Sequence, residues 1–339
     1  MIMTVQGPIS PNELGITLMH EHLFTDRSRL WTDPIGPKKH FARLPVKMDI
    51  LGELRLNPYS NYDNCLLVDI DLAVKEAIHF YENGGSTIVD VTPRGLGRDA
   101  RALYQVSRRT NLNIVMGSGY YLYDTIPRHV EEMSIEEIKE EIVTDLLIGV
   151  DGTNIKAGII GEIGIGPDMH DLEIKVLKAA ARAQKETNRP LTIHTPGWEK
   201  IAHDILDVVE KEGGDLHRTI LGHMNPTMYD EDYQMSLAKR GCYIEYDMIG
   251  IELKFPEGQS PSDEENANAI INLIDKGVTE QLLLSQDIFL KNLLKTYGGF
   301  GYSHILENFI PRLYEKGVSE KKIHQIMVEN PKRILTVPS

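Results

Sequence analysis

The run "LGITLMHEHLF", residues 14–24, is typical of a buried strand but carries two histidines near its end, His20 and His22. Side chains two residues apart on a strand point to the same face, so the two imidazoles would lie side by side. Two imidazole nitrogens at this spacing could bind a metal ion. The pair alone is weak evidence, because two histidines at a strand end can also be without function.

Four more side chains of the metal-binding type end other apolar runs of the chain. Glu162 lies in "GEIG", His194 in "IHT", His223 in "GHM" and Asp287 in "SQD". Singly, such a histidine is more often a hydrogen-bonded core residue, and Glu162 could cap the next helix. Jointly, four imidazoles and two carboxylates at predicted strand ends indicate a metal site, provided that the fold brings these ends together.

Eight short runs rich in isoleucine, valine and leucine predict buried parallel strands. They are residues 15–22, 86–93, 113–121, 156–164, 191–196, 219–224, 242–250 and 282–289. Helical patterns lie between most of them, as in "DLEIKVLKAAARAQKETN". Eight strand–helix alternations predict an α/β fold, a (β/α)8 TIM barrel in which the C-terminal strand ends meet at one mouth. An open doubly wound sheet is the alternative.

A single barrel domain over residues 1–339 is predicted, because no linker, repeat or low-complexity tract interrupts the pattern. Two segments are long, residues 23–66 after the first strand and residues 250–268 after the seventh. Both leave C-terminal strand ends, where the active sites of barrels lie. Both are therefore expected to form walls of a pocket.

Composition and charge exclude several classes of protein. The 41% hydrophobic and 25% charged residues are typical of a globular chain. A net charge of −14 argues against nucleic acid and anionic membranes as partners, since both bind basic surfaces. Cys65 and Cys242 lie far apart, which excludes a disulfide framework and indicates a reducing compartment. Because neither a secretory signal nor an apolar run of about 18 residues is visible, a soluble cytoplasmic protein is predicted.

The number of candidate ligands predicts the kind of metal centre. One catalytic zinc takes three protein ligands and keeps one position open, so six ligands are too many for a single ion. Six suit two ions about 3.5–4 Å apart that share one carboxylate and one water-derived hydroxide. The predicted cofactor is therefore two divalent metal ions per chain, with zinc expected first and Fe²⁺ or Mn²⁺ as alternatives.

Longer motifs resemble the phosphotriesterase family of the amidohydrolase superfamily. "GPISPNELGITLMHEHLF" is similar to the opening motif of that family, and "YGGFGYSHIL" and "ENPKRIL" are similar to its closing motifs. "GYY", "HTPGW" and "GHMNP" resemble the phosphotriesterase-related branch. The resemblance covers nearly the whole chain and implies a (β/α)8 barrel with ligands on strands one, four, five, six and eight. It further implies that His20, His22 and Asp287 bind the more buried metal, and that His194 and His223 bind the more exposed one.

The strand-four ligand departs from the pattern of the well-known phosphotriesterases. Those enzymes bridge their metals with a carboxylated lysine, whereas this chain has Glu162 at the corresponding position. The distance along the chain from Glu162 to His194 fits the spacing of the family. The resemblance therefore implies a glutamate bridge, as in several related members, and it weakens the expectation that phosphotriesters are the substrates.

The implied reaction is hydrolysis without a covalent enzyme intermediate. A hydroxide that bridges two metals is a nucleophile at neutral pH, and the exposed metal can polarise the oxygen under attack. The resemblance implies that Asp287 orients the hydroxide and carries its proton to the leaving group. A lactone or carboxylate ester is expected as substrate, with a phosphoester, a phosphotriester or an amide as alternatives. The segment after Asp287 lacks the paired arginines of the sugar-phosphate lactonases, although Lys291 remains a candidate phosphate contact.

Seven residues at or just past predicted strand ends are candidates for contact with a small-molecule substrate, and packing explains each of them equally well. They are Arg94, Tyr120, Tyr121, Trp198, Asn225, Tyr246 and Lys291. Neither nucleic acid nor a membrane is expected as partner, and a homodimer is an open alternative to a monomer.

Three other interpretations carry less support. "GLGRDA", residues 95–100, matches a dinucleotide-binding fingerprint, but the next strand brings no acidic residue for a ribose, so its glycines are expected to shape a loop. Cys65 has no visible base and is not expected to act as a nucleophile. Finally, the chain could be a metal-containing ligand-binding protein without turnover, although binding alone need not keep Asp287.

Overall fold

Eight parallel strands form one sheet in which spatial neighbours follow chain order. The structure is a computed structural model and describes residues 1–337. The strands are β1 (Thr17–Glu21), β2 (Thr87–Asp90), β3 (Asn113–Ser118), β4 (Ile159–Gly164), β5 (Leu191–His194), β6 (Thr219–Leu221), β7 (Tyr243–Tyr246) and β8 (Leu282–Leu284). Each one lies within a run that the sequence predicts to be a strand, so the apolar runs identify all eight.

The last strand returns to the first and nearly closes the sheet. The hydroxyl of Ser285 accepts a hydrogen bond from the backbone N–H of His20 at 2.9 Å. The backbone N–H of Asp287 donates to the carbonyl of His20 at 3.1 Å. These bonds join the end of β8 to β1, which confirms the (β/α)8 barrel and excludes the open doubly wound sheet.

Helices surround the barrel, one after each strand. They are α1 (Ile70–Glu82), α2 (Ala100–Thr110), α3 (Ile135–Leu147), α4 (Asp171–Thr187), α5 (Ala202–Lys211), α6 (Glu231–Ala238), α7 (Asp263–Asp275) and α8 (Ile310–Glu315). A π-helical turn, Ile305–Phe309, leads into α8. The C-terminal segment consists of Glu320–His324, the π-helical Gln325–Glu329 and Asn330–Leu335. A short helix, Leu51–Leu56, lies in the segment between β1 and α1.

Periodicity places the helices against the sheet, and α4 shows how. Leu172, Val176, Ala180 and Ala183 are buried on one stripe, as their spacing predicts. The helix ends at Asn188, which adopts the left-handed conformation with φ 53° that commonly terminates helices. The strand that follows is thereby directed back into the barrel.

Two small antiparallel strand pairs complete the chain. Ile2–Thr4 pairs with Gly7–Ile9 near the N-terminus. Ile2 packs in one cluster with inward-facing barrel residues such as Val89 and with Leu335 of the C-terminal segment, which closes the bottom of the barrel. The second pair, Thr25–Asp26 with Leu66–Leu67, joins the two ends of the long segment after β1.

The glycines of "GLGRDA" shape a loop between β2 and α2. Gly95 and Gly97 have φ angles of +89° and +88°, which glycine adopts without strain. A Cβ atom on Gly97 would lie 2.9 Å from the backbone nitrogen of Asp26. Arg98, in the same motif, forms an ion pair with Asp145 at 2.7 Å. The glycines thus allow two loops to approach each other, and nothing here resembles a phosphate cradle.

No helix within residues 1–337 combines the length and the apolar character that crossing a bilayer requires. Both cysteines are buried with free thiols, and burial raises the pKa of Cys65 and of Cys242 to about 12. A thiol with so high a pKa is a poor nucleophile at neutral pH, which agrees with the exclusion of Cys65 as a catalytic group.

Candidate metal centre and active site

The six ligand-type side chains meet at the C-terminal mouth of the barrel. His20 lies on β1, and His22 directly follows that strand. Glu162 lies on β4, and His194 is the last residue of β5. His223 and Asp287 lie just past the ends of β6 and β8. Five of the six are nearly or fully buried, and His194 is partly exposed towards the mouth. The fold therefore brings together every ligand that the strand ends predict.

Glu162 lies at the middle of the group. Its Oε1 is 3.0 Å from Nδ1 of His194 and 3.0 Å from Nε2 of His223. The same oxygen is 3.4 Å from Nε2 of His20, and Oε2 is 3.8 Å from Nε2 of His22. One carboxylate thus faces both pairs of histidines, His20 with His22 and His194 with His223, which is the position that a bridging ligand requires.

Asp287 belongs mainly to the histidines of β1. Its Oδ1 lies 3.2 Å from Nε2 of His22 and 3.9 Å from Nε2 of His20. Its Oδ2 lies 3.9 Å from Nδ1 of His223. This grouping is the one that the family resemblance implies for the more buried metal.

Three atoms at the centre are buried and have no hydrogen-bond partner among the described residues. They are Nε2 of His20, Oε2 of Glu162 and Oδ1 of Asp287. A buried polar atom without a partner costs about 1–3 kcal/mol, so three of them at one point require an explanation. Imidazole nitrogens and carboxylate oxygens are ligands of zinc, iron and manganese. The residues therefore fit a metal ion, which would satisfy all three atoms.

Outer carboxylates set the tautomers of two histidines. Nδ1 of His20 lies 3.3 Å from Oε2 of Glu245 and 3.3 Å from Oδ2 of Asp247. Nδ1 of His223 lies 3.0 Å from Oδ1 of Asp247. Because a carboxylate accepts the proton on Nδ1, the Nε2 lone pair of each ring is free to face the centre. Sequence reasoning missed Glu245 and Asp247, although their spacing of two on a buried strand was a usable signal.

His22 is oriented by a hydroxyl instead. Its Nδ1 lies 2.8 Å from Oγ1 of Thr92, and that hydroxyl donates to the carbonyl of Phe24 at 3.0 Å. The Thr92 hydroxyl has one proton, so it must accept from Nδ1–H of His22. The lone pair on Nε2 of His22 consequently faces the centre as well.

The electrostatics keep the carboxylates ionised. Burial alone would raise the pKa of Glu162 and of Asp287, but the facing histidines outweigh it and hold both pKa values below their usual range. Burial, together with the charge of His223, lowers the pKa of His194 to about 4. Ionised carboxylates and the neutral imidazole of His194 are the protonation states in which these groups bind a metal. The facing carboxylates raise the pKa values of His20 and His223, so a metal bound to either ring would displace a proton from it.

Two of the ligands have strained backbones. His223 and Asp287 have φ angles of 55° and 46°, in the left-handed region that non-glycine residues rarely adopt. Hydrogen bonds hold both conformations, since the His223 N–H donates to Asp247 and the Asp287 N–H donates to the carbonyl of His20. Such strain costs of the order of 1–3 kcal/mol and is concentrated at functional sites. The strain at these two strand ends agrees with a functional role for both residues.

A cavity of ≈ 330 Å³ opens above the centre. Asp287, His194, His223 and Arg27 contribute polar atoms to it, and the remaining walls are largely aromatic and aliphatic. These walls include Leu30, Tyr59, Tyr121, Trp198, Met248, Phe255 and Phe289. Both long segments, residues 23–66 and 250–268, supply wall residues, as their positions after β1 and β7 predict.

Two of the seven candidates for substrate contact line this cavity, Tyr121 and Trp198. The hydroxyl of Tyr121 lies 3.0 Å from Nδ1 of His194. Arg94 and Tyr120 lie elsewhere and contact acidic residues of α3, with Nη2 of Arg94 2.8 Å from Asp145. Neither residue lines this cavity, because the strand end that directs Tyr121 inward directs its neighbour Tyr120 outward, and their contact with substrate stays a prediction.

The other three candidates support the fold around the cavity. Asn225 donates to Oδ1 of Asn266 at 2.9 Å, and the hydroxyl of Tyr246 donates to Gln234 at 2.7 Å. Lys291 forms an ion pair with Oδ1 of Asp63 at 2.6 Å. None of the three lines the cavity, and their contact with substrate stays a prediction.

The match to known proteins decides which family this is. The model of the phosphotriesterase family matches residues 1–335, almost the entire chain. The chain belongs to the phosphotriesterase family. The resemblance seen in the opening and closing motifs is thereby confirmed, together with the barrel that it implies.

Relatives within the phosphotriesterase family include named hydrolases. An "N-acetyltaurine hydrolase" from Tetraodon nigroviridis is 38% identical over 341 residues, covering 99% of this chain and 97% of that protein. A solved "Resiniferatoxin-binding protein" from Rhodobacter sphaeroides superimposes with a TM-score of 0.97 at 45% identity, covering 98% of this chain and 94% of that one. A lactonase from Listeria monocytogenes superimposes with a TM-score of 0.81 at 27% identity, covering 100% and 99%. The chain is a hydrolase of this family.

One buried carboxylate in this member of the phosphotriesterase family fixes the loop that carries Asp287. Glu21 points away from the centre, between His20 and His22 in the chain. Its Oε1 accepts from the Ser285 hydroxyl at 2.8 Å and from the Gln286 N–H at 2.8 Å. Its Oε2 accepts from the Ile288 N–H at 2.9 Å, and burial raises the pKa of Glu21 to about 8. Both neighbours of Asp287 are thus bound to one side chain.

Glu21→Gln should lower both stability and turnover. The amide can accept on one side only, so at least one buried donor loses its partner at a cost of about 1–3 kcal/mol. We expect kcat to fall about 10- to 100-fold, as for a group that supports a metal ligand. Melting temperature, bound metal and kcat are the measurements.

Glu76 supplies the matched control, because it is also a buried glutamate that accepts from two backbone N–H groups and one hydroxyl. These belong to Lys295 and Thr296, away from the centre. Glu76→Gln should lower the melting temperature and leave kcat unchanged. Equal losses of kcat in the two variants would show that Glu21 has no special relation to Asp287.

Proposed function

We propose that the chain is a binuclear metal-dependent hydrolase that cleaves a lactone or carboxylate ester bond. The observation that carries this proposal is a set of three buried atoms, on His20, Glu162 and Asp287, that have no partner within residues 1–337 and lie below a largely apolar cavity. An apolar cavity of this size suits the body of a small organic molecule, and the polar centre suits its reacting carbonyl.

Each side chain has a proposed place in the loaded centre. His20, His22 and Asp287 would hold one divalent ion, His194 and His223 would hold the other, and Glu162 would be shared, with zinc as the expected metal and Fe²⁺ or Mn²⁺ as alternatives. Two such ions supply a hydroxide nucleophile at neutral pH and neutralise the charge that develops on the carbonyl oxygen.

The protein side chains do the remaining work. Asp287 lines the cavity and is ionised, so it can take the proton of the attacking hydroxide and deliver it to the leaving group. Aromatic walls exclude bulk water around the reacting carbonyl. Both products then leave through the mouth, and no bond to the protein forms at any step.

An amide is the second candidate for the substrate. The curated relative named above as an N-acetyltaurine hydrolase aligns over almost the whole chain, whereas the named lactonase is more distant. The cavity also has a guanidinium beside the centre, that of Arg27. Named hydrolases among the relatives favour turnover over the binding-only alternative. A cytoplasmic location, a single domain and the open choice between monomer and homodimer stay predictions.

Metal content is the first test of the proposal. Six convergent ligands should bind two divalent ions per chain, measured by elemental analysis of protein produced in metal-supplemented medium. Removal of the ions with a chelator should abolish hydrolysis, and zinc, iron or manganese should restore it. A single firmly bound ion, with no second site on titration, would contradict the binuclear centre.

A substrate panel is the second test. The metal-loaded protein should hydrolyse at least one lactone, carboxylate ester or amide faster than every phosphotriester offered. Chelator-treated protein is the matched control for background hydrolysis. If phosphotriesters prove the best substrates, the ranking of substrates is wrong while the assignment of the site stands.

A further inference from the structure

Arg27 is a buried cation in the active-site cavity. Its side chain is only 3% exposed. The guanidinium carbon lies 4.5 Å from the ring centroid of Phe289 and 5.2 Å from that of Tyr121. Two aromatic rings thus hold the planar group in place and leave its N–H edges free to interact with other groups.

The guanidinium has no anionic partner among residues 1–337. Its closest polar contacts are Nε2 of His22 at 3.1 Å and the hydroxyl of Tyr121 at 3.5 Å. Its Nε has no hydrogen-bond partner at all among the described residues. Burial of a cation without a counter-ion is costly, and natural proteins pair such groups or use them.

The contact with His22 cannot persist in the loaded centre. Thr92 holds the proton of His22 on Nδ1, so the single lone pair on Nε2 is available to one partner only. If that lone pair binds a metal, as the proposed function requires, Arg27 loses its nearest acceptor. The metal ion and the guanidinium of Arg27 are then neighbouring cations, and the guanidinium is left without a hydrogen-bond acceptor in place of His22.

The charges around Arg27 indicate where an anion would lie. The carboxylates of Asp287 and Glu162 are near enough to act on the charge of the guanidinium but do not contact it, and both face the histidines of the metal centre. Glu199 and Glu257 also line the cavity, but both are exposed at its rim. The rim therefore repels an anionic group and the floor attracts it.

We propose that Arg27 binds an anionic group of the substrate, a carboxylate or a sulfonate, close to the carbonyl that is cleaved. Its N–H groups would donate to two oxygens of that group, a geometry suited to guanidinium. Arg27 contacts a candidate metal ligand directly, so only a few bonds can separate the anionic group from the reacting carbonyl. This inference rests on the proposed function and narrows its substrate to short esters, lactones or amides that carry an anionic group within a few bonds of the carbonyl.

Matched substrate pairs test the inference. The amide pair is N-acetyltaurine and its uncharged analogue N-acetylethanolamine. The ester pair is 4-nitrophenyl hydrogen glutarate and its methyl ester. Arg27→Met should lower kcat/KM on the anionic members about 10- to 100-fold, the value of a charge-assisted hydrogen-bonded pair, chiefly through KM. The uncharged members should change little, and Arg27→Lys should restore part of the loss.

Arg29 is the matched control, because it lies in the same loop, is exposed, and donates to the carbonyl of Thr125 at 3.3 Å. Arg29→Gln should leave both substrate pairs unchanged. Arg27→Met should also retain its metal content and a melting temperature at or above that of the parent, because it removes an unpaired buried charge. A merely structural arginine would instead lower the melting temperature.

A measurement without turnover separates this inference from the proposed function. Propane-1-sulfonate should raise the melting temperature of the metal-loaded parent, propane-1-sulfonamide should not, and Arg27→Met should abolish the shift. If the parent hydrolyses no ester or amide but shows this shift, the proposed function is wrong and the anion site stands. If hydrolysis occurs and Arg27→Met slows charged and uncharged substrates equally, or the sulfonate gives no shift, Arg27 is not an anion anchor.

Discussion

Glu162→Ala should remove at least one of the two metal ions and lower turnover more than about 100-fold. The loss should exceed the 10- to 100-fold typical of an outer partner of a ligand, because Glu162 would bind the metals directly. Its Oε1 lies within 3.4 Å of three histidine nitrogens, so alanine would remove the one carboxylate that these three imidazoles share. Elemental analysis and kcat on the best ester are the measurements.

Carbon dioxide gives a second readout for the same residue. A glutamate is encoded in the gene, whereas a carboxylated lysine must be assembled from carbon dioxide. Reactivation of the metal-free protein should therefore proceed at the same rate with and without bicarbonate. Glu76→Ala, which removes a buried carboxylate elsewhere, should keep both metals. Faster reactivation with bicarbonate would show that a lysine forms the bridge and that Glu162 does not.

Asp287→Asn should lower kcat roughly 100-fold or more, a loss within the range for a general acid–base group. Asparagine keeps the shape and one oxygen, so most of the metal should remain. It cannot accept a proton, so the leaving group departs without assistance. The loss should therefore grow with the basicity of the leaving group, smallest for an activated aryl ester and largest for an alkyl lactone or an amide.

Asp263 provides the control for this substitution, because its carboxylate also contacts a histidine, Nε2 of His304 at 2.6 Å, outside the centre. Asp263→Asn should show no dependence on the leaving group. The measurement is a plot of kcat against leaving-group pKa for both variants. Full activity of Asp287→Asn on alkyl lactones would mean that another group moves the proton.

The strand ends show how much of the site the sequence could predict. The alternation of side chains along a strand is local, so His20 and His22 had to share a face wherever the strand lay. Repeated strand–helix units close into a barrel whose C-terminal ends converge, so Glu162, His194 and Asp287 had to meet them there. These predictions needed only periodicity and topology.

The same alternation explains why some of the residues predicted to contact substrate lie outside the cavity. Tyr120 and Tyr121 both follow β3, but their side chains point to opposite sides, and only Tyr121 reaches the cavity. Tyr246 lies on β7 between Glu245 and Asp247, so it faces the helices when they face the centre. Proximity to a strand end predicts a position in the fold, and the parity of the residue decides the direction of its side chain.

The sequence by itself determined the barrel, the six convergent ligands and the family, because each depends on short-range periodicity or on motifs that are continuous in the chain. Only the tertiary structure decided which groups orient those ligands and which groups face the substrate. Arg27 reaches the cavity through a long segment whose path is set by packing, and Glu21 acts on residues more than 260 positions away in the chain. Contacts between segments so distant depend on how the closed barrel brings its last strand back to its first, and no local pattern in the sequence encodes that geometry.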